Sequence, residues 1–338
     1  MILRGFILFI SLFSLVVGIF IGVSKSGFWN ILNYVSPYHF LILCGSFFGT
    51  LITLERVVTI KNNLFHFLPI VNGSSILFFL ADSPSIANGL LIAGGMILSG
   101  MYGYFLFQHK DKIHLIFILS ALCYLLALIF YYFNESVLSI HFFELFFLTT
   151  IAAERLELSR FINISEIKKN ILIILLVLSF FGVIHEKMFG GVLIFISIWF
   201  IFYDIARINI RSKEPHRFRG YALIFAYYWL FIHGLSFIFS QWFSYDTRIH
   251  SFFLGFVINM VFAHVSIILP AVLKVQFTIP PRTYYLMWIM FQTVLLVRFF
   301  ASHMATHFFA YTSLLNAFII LIFFATNAVF AFFLGKRV

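Results

Sequence analysis

Apolar runs of about 20 residues follow one another along the whole chain, and short polar stretches separate them. Twelve such runs can be marked: residues 5–23, 38–57, 66–82, 86–107, 113–133, 137–158, 169–187, 189–208, 219–240, 250–273, 284–303 and 308–334. Each is predicted to cross a bilayer as a helix. The third is the least regular, because Pro69, Asn72 and Gly73 interrupt it. The pattern predicts an all-α, polytopic membrane protein: one helical-bundle domain over residues 1–338 with about twelve transmembrane helices. Loops this short make successive helices antiparallel neighbours. The first run follows a basic Arg4, and the segment 21–25 offers no clear small-residue cleavage site, so it reads as an uncleaved span.

Composition sharpens this picture. The chain is 62% hydrophobic and 10% charged, with a mean hydropathy of +1.05, a balance that no soluble domain has. A net charge of +10 suggests nucleic acid at first sight, but its distribution excludes that reading, because the basic residues gather in alternate loops. With the N-terminus inside, only Lys25, Lys187, Arg248 and Arg298 of the 22 Lys and Arg fall on the outer side. A miscounted span would scramble this asymmetry. The bias therefore predicts cytoplasmic N- and C-termini and a multi-pass protein of the cytoplasmic (inner) membrane. Cys44 and Cys123 each lie inside an apolar run with no C-x-x-C, and read as buried small residues.

With the orientation set, the histidines sort by depth. His39, His141 and His250 open the second, sixth and tenth spans on the outer side. His233 lies about two turns in from the outer end of the ninth, roughly 10 Å deep. Four helices thus bring imidazoles to one outer level, as a bundle-embedded haem or metal site requires. The alternative is a set of interfacial histidines satisfied by water or headgroups. Glu144 follows His141 by three residues, on the same helix face, and suits either a second-shell partner or a direct metal ligand. His264 lies about 21 Å along its helix from His250, with Pro270 beyond it expected to bend or end the helix. It suits an axial ligand, a proton relay or a hydrogen-bonded core residue. Arg298 is the one Arg well inside an apolar run, placed to neutralise a carboxylate such as a haem propionate or to snorkel outward.

At the inner ends of the second and sixth spans stand Glu55-Arg56 and Glu154-Arg155-x-Glu157-x-x-Arg160. These suit an ion-pair lock between helices or the mouth of a proton path. No nucleotide-binding glycine loop, H-E-x-x-H or G-x-S-x-G is present, so nothing indicates nucleotide chemistry or hydrolysis.

Three stretches taken together resemble a known family: His39-x9-Gly49-Thr50-Leu51-Ile52-x2-Glu55-Arg56, the run Thr150–Arg160, and His250-x3-Leu254-Gly255-Phe256-Val257-x6-His264-x4-Leu269-Pro270. They are similar to the NnrS-like haem- and copper-containing membrane proteins, which are distantly similar to the catalytic subunit of haem–copper oxidases. The resemblance implies haem held by histidines near the outer side, copper as a further cofactor, and a role in nitric oxide metabolism or nitrosative stress. It puts in doubt an oxidase-type copper centre, since the tenth span has no His-x-His and the seventh no adjacent histidines.

On this reading His39 and His250 are the first choice as axial ligands, with Arg298 facing propionates. His141 backed by Glu144, His233 and His264 are candidates for a second metal. The partners would be the lipid bilayer, a small diatomic molecule and a respiratory-chain protein, and the activity binding or oxidoreductase turnover of the diatomic. Two alternatives stand beside it. One is a secondary transporter lined by Glu55, Asn259, His264, Gln292 and Asn316. The other is a non-catalytic subunit or metal-handling assembly factor.

Overall fold

The structure is a computed structural model and describes residues 2–29, 32–59, 63–303 and 306–337. Helices occupy each of the twelve apolar runs. They are α1 (Ile2–Lys25), α2 (Asn33–Val58), α3 (Phe67–Leu80), α4 (Pro84–His109), α5 (Lys112–Tyr132), α6 (Ser136–Phe161), α7 (Glu166–Gly182), α8 (Glu186–Tyr203), α9 (His216–Ile238), α10 (Tyr245–Leu273), α11 (Pro281–Ala301) and α12 (His307–Leu334). Among the described residues, ten are long and apolar enough to cross a membrane. The other two are shorter. Helix α3 has 14 residues, because the chain before it forms a 3₁₀ turn (Asn63–His66) and Asp82 just after it takes a left-handed conformation. Helix α7 has 17, and its first turn carries Glu166, Lys168 and Lys169. The one β pairing described, Val275–Gln276 with Lys336–Arg337, ties the loop after α10 to the C-terminal segment.

Helices α2, α6 and α10 form the centre. Helix α6 is buried almost without break from His141 to Ala153, and α2 from Cys44 to Thr50. Phenylalanines join the three. Phe40 of α2 meets Phe143 of α6 and Phe253 of α10 edge-on, and Phe147 of α6 meets Phe48 and Phe253 the same way. Edge-to-face pairs of this kind set ring orientation as well as burying area. The outer shell is apolar too: Phe9, Phe107, Phe181, Ile184 and Phe333 are all exposed, as a lipid-facing surface requires. Helices α8 and α9 cross at two glycines; a Cβ on Gly190 would sit 2.5 Å from the Gly234 carbonyl oxygen, so only small residues allow the crossing.

Among the departures from plain α-helix, two lie beside the histidines, and a third π segment, Phe330–Leu334, ends α12. Ile42–Gly49 in α2 and Ser251–Ile258 in α10 are π-helical. Each begins just inside a histidine, His39 or His250. A π segment loosens the carbonyl ladder, and such segments often mark functional sites. The loosened carbonyls find other donors: Ser11 Oγ donates to Phe47 O, Asn72 Nδ2 to Gly49 O, and Asn259 Nδ2 to Gly255 O. Pro270 does not end α10, which continues to Leu273. A missing N–H is tolerated inside a bundle where neighbouring groups cover the freed carbonyl.

Candidate functional site

The 3₁₀ start of α2, Asn33–Tyr38, leads into His39, which rests against α1. His39 Nδ1 lies 2.8 Å from the Gly18 carbonyl oxygen. A carbonyl only accepts, so Nδ1 carries the hydrogen and Nε2 is left with its lone pair. Gly22, one turn along α1, gives the ring room: a Cβ there would lie 2.7 Å from His39 Cε1.

At the start of α10, Ser244 caps the helix by accepting from Thr247 N. Asp246 sits in its first turn. His250 Nδ1 lies 2.8 Å from Asp246 Oδ1 and 3.0 Å from the Asp246 backbone oxygen. This again places the hydrogen on Nδ1 and frees Nε2. Arg298 of α11 grips the same carboxylate with Nη2 at 2.7 Å and Nε at 3.0 Å, and lies over the ring of Phe309. Such a forked, charge-assisted pair fixes the carboxylate and, through it, the imidazole.

His39, His250 and Arg298 share the walls of one cavity of about 420 Å³. This is within the size range of small-molecule and cofactor pockets. Its polar rim also holds Lys25, Ser26 and Asp246, and its deeper walls include Phe48, Ile258 and Ile320. Asn316 of α12 lines it as well, with 1% of its surface exposed and no partner for either amide atom among the described residues. Neither His39 Nε2 nor His250 Nε2 makes a hydrogen bond among those residues.

The remaining predicted ligands lie elsewhere. Glu144 is buried between two imidazoles: His141 Nδ1 is 3.0 Å from Oε2, and His233 Nε2 is 3.4 Å from Oε1. His233 Nδ1 bonds the Arg248 carbonyl at 2.9 Å. The His141 ring packs against Phe189 and Phe237. His264 stands apart from both groups, where its Nδ1 donates to the Met260 carbonyl and its Nε2 accepts from Arg155. The structure thus divides the four residues expected to serve a second metal. Among the described residues, no group of three or more His, Cys, Asp or Glu side chains is disposed to hold a metal ion.

At the ends of α2 and α6 away from His39 and His141, Arg56 of α2 pairs with Glu154 of α6 at 2.7 Å and with Glu157 at 3.9 Å, the arrangement of an interhelical lock, one of the two alternatives these residues suit. The polar residues of α9, α10 and α11 engage one another. Trp229 donates to Gln292 Oε1, while Trp288 and Gln292 both donate to Asn259 Oδ1.

Sequence reasoning passed over Asp246 and Gly22, and read Lys25 only for its side of the membrane. The four-residue step from Asp246 to His250 is a visible helical-face signal. The role of Gly22 depends on a contact between helices and leaves no local mark.

No curated protein and no solved structure matches this sequence. A family model described as a domain of unknown function, DUF8744, matches residues 4–332, nearly the full length, and the chain belongs to that family.

Proposed function

We propose that the cavity holds a haem whose iron the Nε2 atoms of His39 and His250 would ligate, in a protein of nitric oxide metabolism or nitrosative-stress response. One observation carries the reading: two imidazoles on different helices face one cavity with Nδ1–H engaged and Nε2 uncommitted. That is the donor state an iron ligand requires. The apolar walls suit a porphyrin face, and Lys25 and Ser26 at the rim suit its carboxylates. Arg298 contributes chiefly through Asp246, since its fork is already engaged there.

Haem held there would supply one-electron chemistry and binding of a small diatomic molecule such as nitric oxide. The chain sets the difference between its two ligands. Asp246 makes His250 the more basic imidazole, and the anchored carboxylate holds it in place. His39 rests on a neutral carbonyl and is the ligand more readily displaced. The residues expected to bind copper lack a common ligand geometry, and no step is assigned to that metal.

The same reading takes α3 and α7 as crossing segments, giving twelve spans with both termini in the cytoplasm. Its support is the charge bias, which survives only if both short helices cross. A rise of 1.5 Å per residue makes α3 roughly 21 Å and α7 roughly 25 Å long, short of a core of about 30 Å. Buried neighbours around Leu68, Asn72 and Phe79 offset that shortfall for α3. The transporter alternative loses several of its lining residues, because Asn259, Gln292 and His264 are engaged in hydrogen bonds.

The test is an absorption spectrum of the protein purified from haem-replete cells. A Soret band is expected, reduced or shifted in His39→Ala and lost in His250→Ala. A colourless, iron-free preparation of folded protein would overturn the proposal.

A further inference from the structure

The group around Glu144 poses a problem that its hydrogen atoms must solve. Its side chain is 1% exposed and that of His233 is 0% exposed, so water offers no remedy. His141 Nδ1–H donates to Glu144 Oε2. On the other side His233 Nδ1 lies 2.9 Å from the Arg248 carbonyl oxygen, a contact that only an N–H satisfies. Ser251 does not alter this, since its own hydroxyl hydrogen is directed to the same carbonyl at 2.8 Å.

A neutral imidazole has one N–H. With that hydrogen on Nδ1, His233 turns a bare lone pair on Nε2 toward Glu144 Oε1, 3.4 Å away. Neither atom has another partner among the described residues. Two acceptors facing each other inside a bundle are costly, and an unpaired carboxylate there more so. His264 offers the contrast: its Nδ1 donates to Met260 O and its Nε2 accepts from Arg155, so the ring is complete as a neutral base.

We propose that Glu144 and His233 bind one shared proton, which makes the His141–Glu144–His233 group a proton-binding site in the outer half of the bundle. The proton moves between O–H···N and O⁻···H–N⁺, and either form leaves the group with no net charge. Cys44 of α2 and Tyr245 of α10 are coupled to the Glu144 charge. Both line the cavity, so the site answers to charge that enters there. Added negative charge in the cavity holds the proton more tightly, and added positive charge favours its release. Arg248, whose carbonyl accepts from His233, pairs its side chain with Glu186 at 3.5 Å. The proposal does not require that the cavity occupant be haem.

The test uses the full-length protein in lipid bilayers at neutral pH, with ¹⁵N-labelled histidine for solid-state NMR and infrared difference spectroscopy against Glu144→Gln. The glutamine preserves both contacts, its oxygen accepting from His141 and its N–H donating to His233 Nε2. The expected wild-type result is a His233 protonated on both nitrogens, or a Glu144 carboxylic-acid C=O stretch beside a His233 bare at Nε2. Glu144→Gln should bind one proton fewer per chain and leave His233 neutral with its hydrogen on Nδ1. A wild-type His233 that is neutral with its hydrogen on Nε2 would overturn the proposal. So would an ionised Glu144 facing a bare Nε2. The wild-type spectra decide between these outcomes even where the variant does not fold.

Discussion

For the imidazoles of the cavity and its neighbours, the acceptor of the Nδ1–H decides what Nε2 can do. His39 and His250 keep Nε2 open to the cavity, His264 gives it to Arg155, and His233 turns it on Glu144. Removing the carboxylate behind His250 should therefore act on two levels. Asp246→Asn strips Arg298 of its charge-assisted partner, a loss of about 1.5–3 kcal/mol that a thermal melt in detergent would read. It also makes His250 a weaker base, so the midpoint potential of the bound haem should rise in a redox titration. Gly22→Ala should cost about 1–3 kcal/mol by overpacking and perturb the Soret band, because the new methyl meets His39. An unchanged spectrum in Gly22→Ala would separate His39 from the cofactor. The sequence exposes the histidines themselves, through their rarity in apolar runs. It hides their acceptors, since Gly18 O and Arg248 O are backbone atoms that any residue supplies.

At the scale of the helices, a π segment follows each of the two cavity histidines, and an asparagine amide covers a loosened carbonyl of each. Asn259 does more than this, since its Oδ1 also accepts from Trp288 and Gln292. Asn259→Leu would orphan two donors and one carbonyl, so stability should fall by about 1–3 kcal/mol for each group left without a partner. Faster hydrogen–deuterium exchange confined to the segment 251–258 would locate the damage; unchanged exchange there would show that the amide does not hold the π turn. None of this is legible in the residue pattern. Every position of Ile42–Gly49 is apolar or small, so a period of 3.6 cannot be told from a wider one. The ion pair between Arg56 and Glu154 is different, because acids beside basic residues at the ends of apolar runs are unusual enough to be noticed in the sequence.

Across the whole molecule, hydropathy located all twelve helices, and length separates ten from the shorter α3 and α7. The shortening arises from a 3₁₀ turn and a charged first turn, which a hydropathy window averages away. Single cysteines near Asp111 and near His185 should report the topology, since the native Cys44 and Cys123 are buried. An impermeant thiol reagent added to intact cells should label the second position and spare the first. Labelling of both positions, or of neither, would remove α7 as a span, and labelling of the first alone would reverse the orientation. The haem proposal meets its most direct test in the electron paramagnetic resonance spectrum of the oxidised, haem-loaded protein. Two axial imidazoles predict a low-spin ferric signal in the wild type that becomes high-spin in His39→Ala. A wild-type signal already high-spin, or a low-spin signal that survives both His39→Ala and His250→Ala, would contradict it.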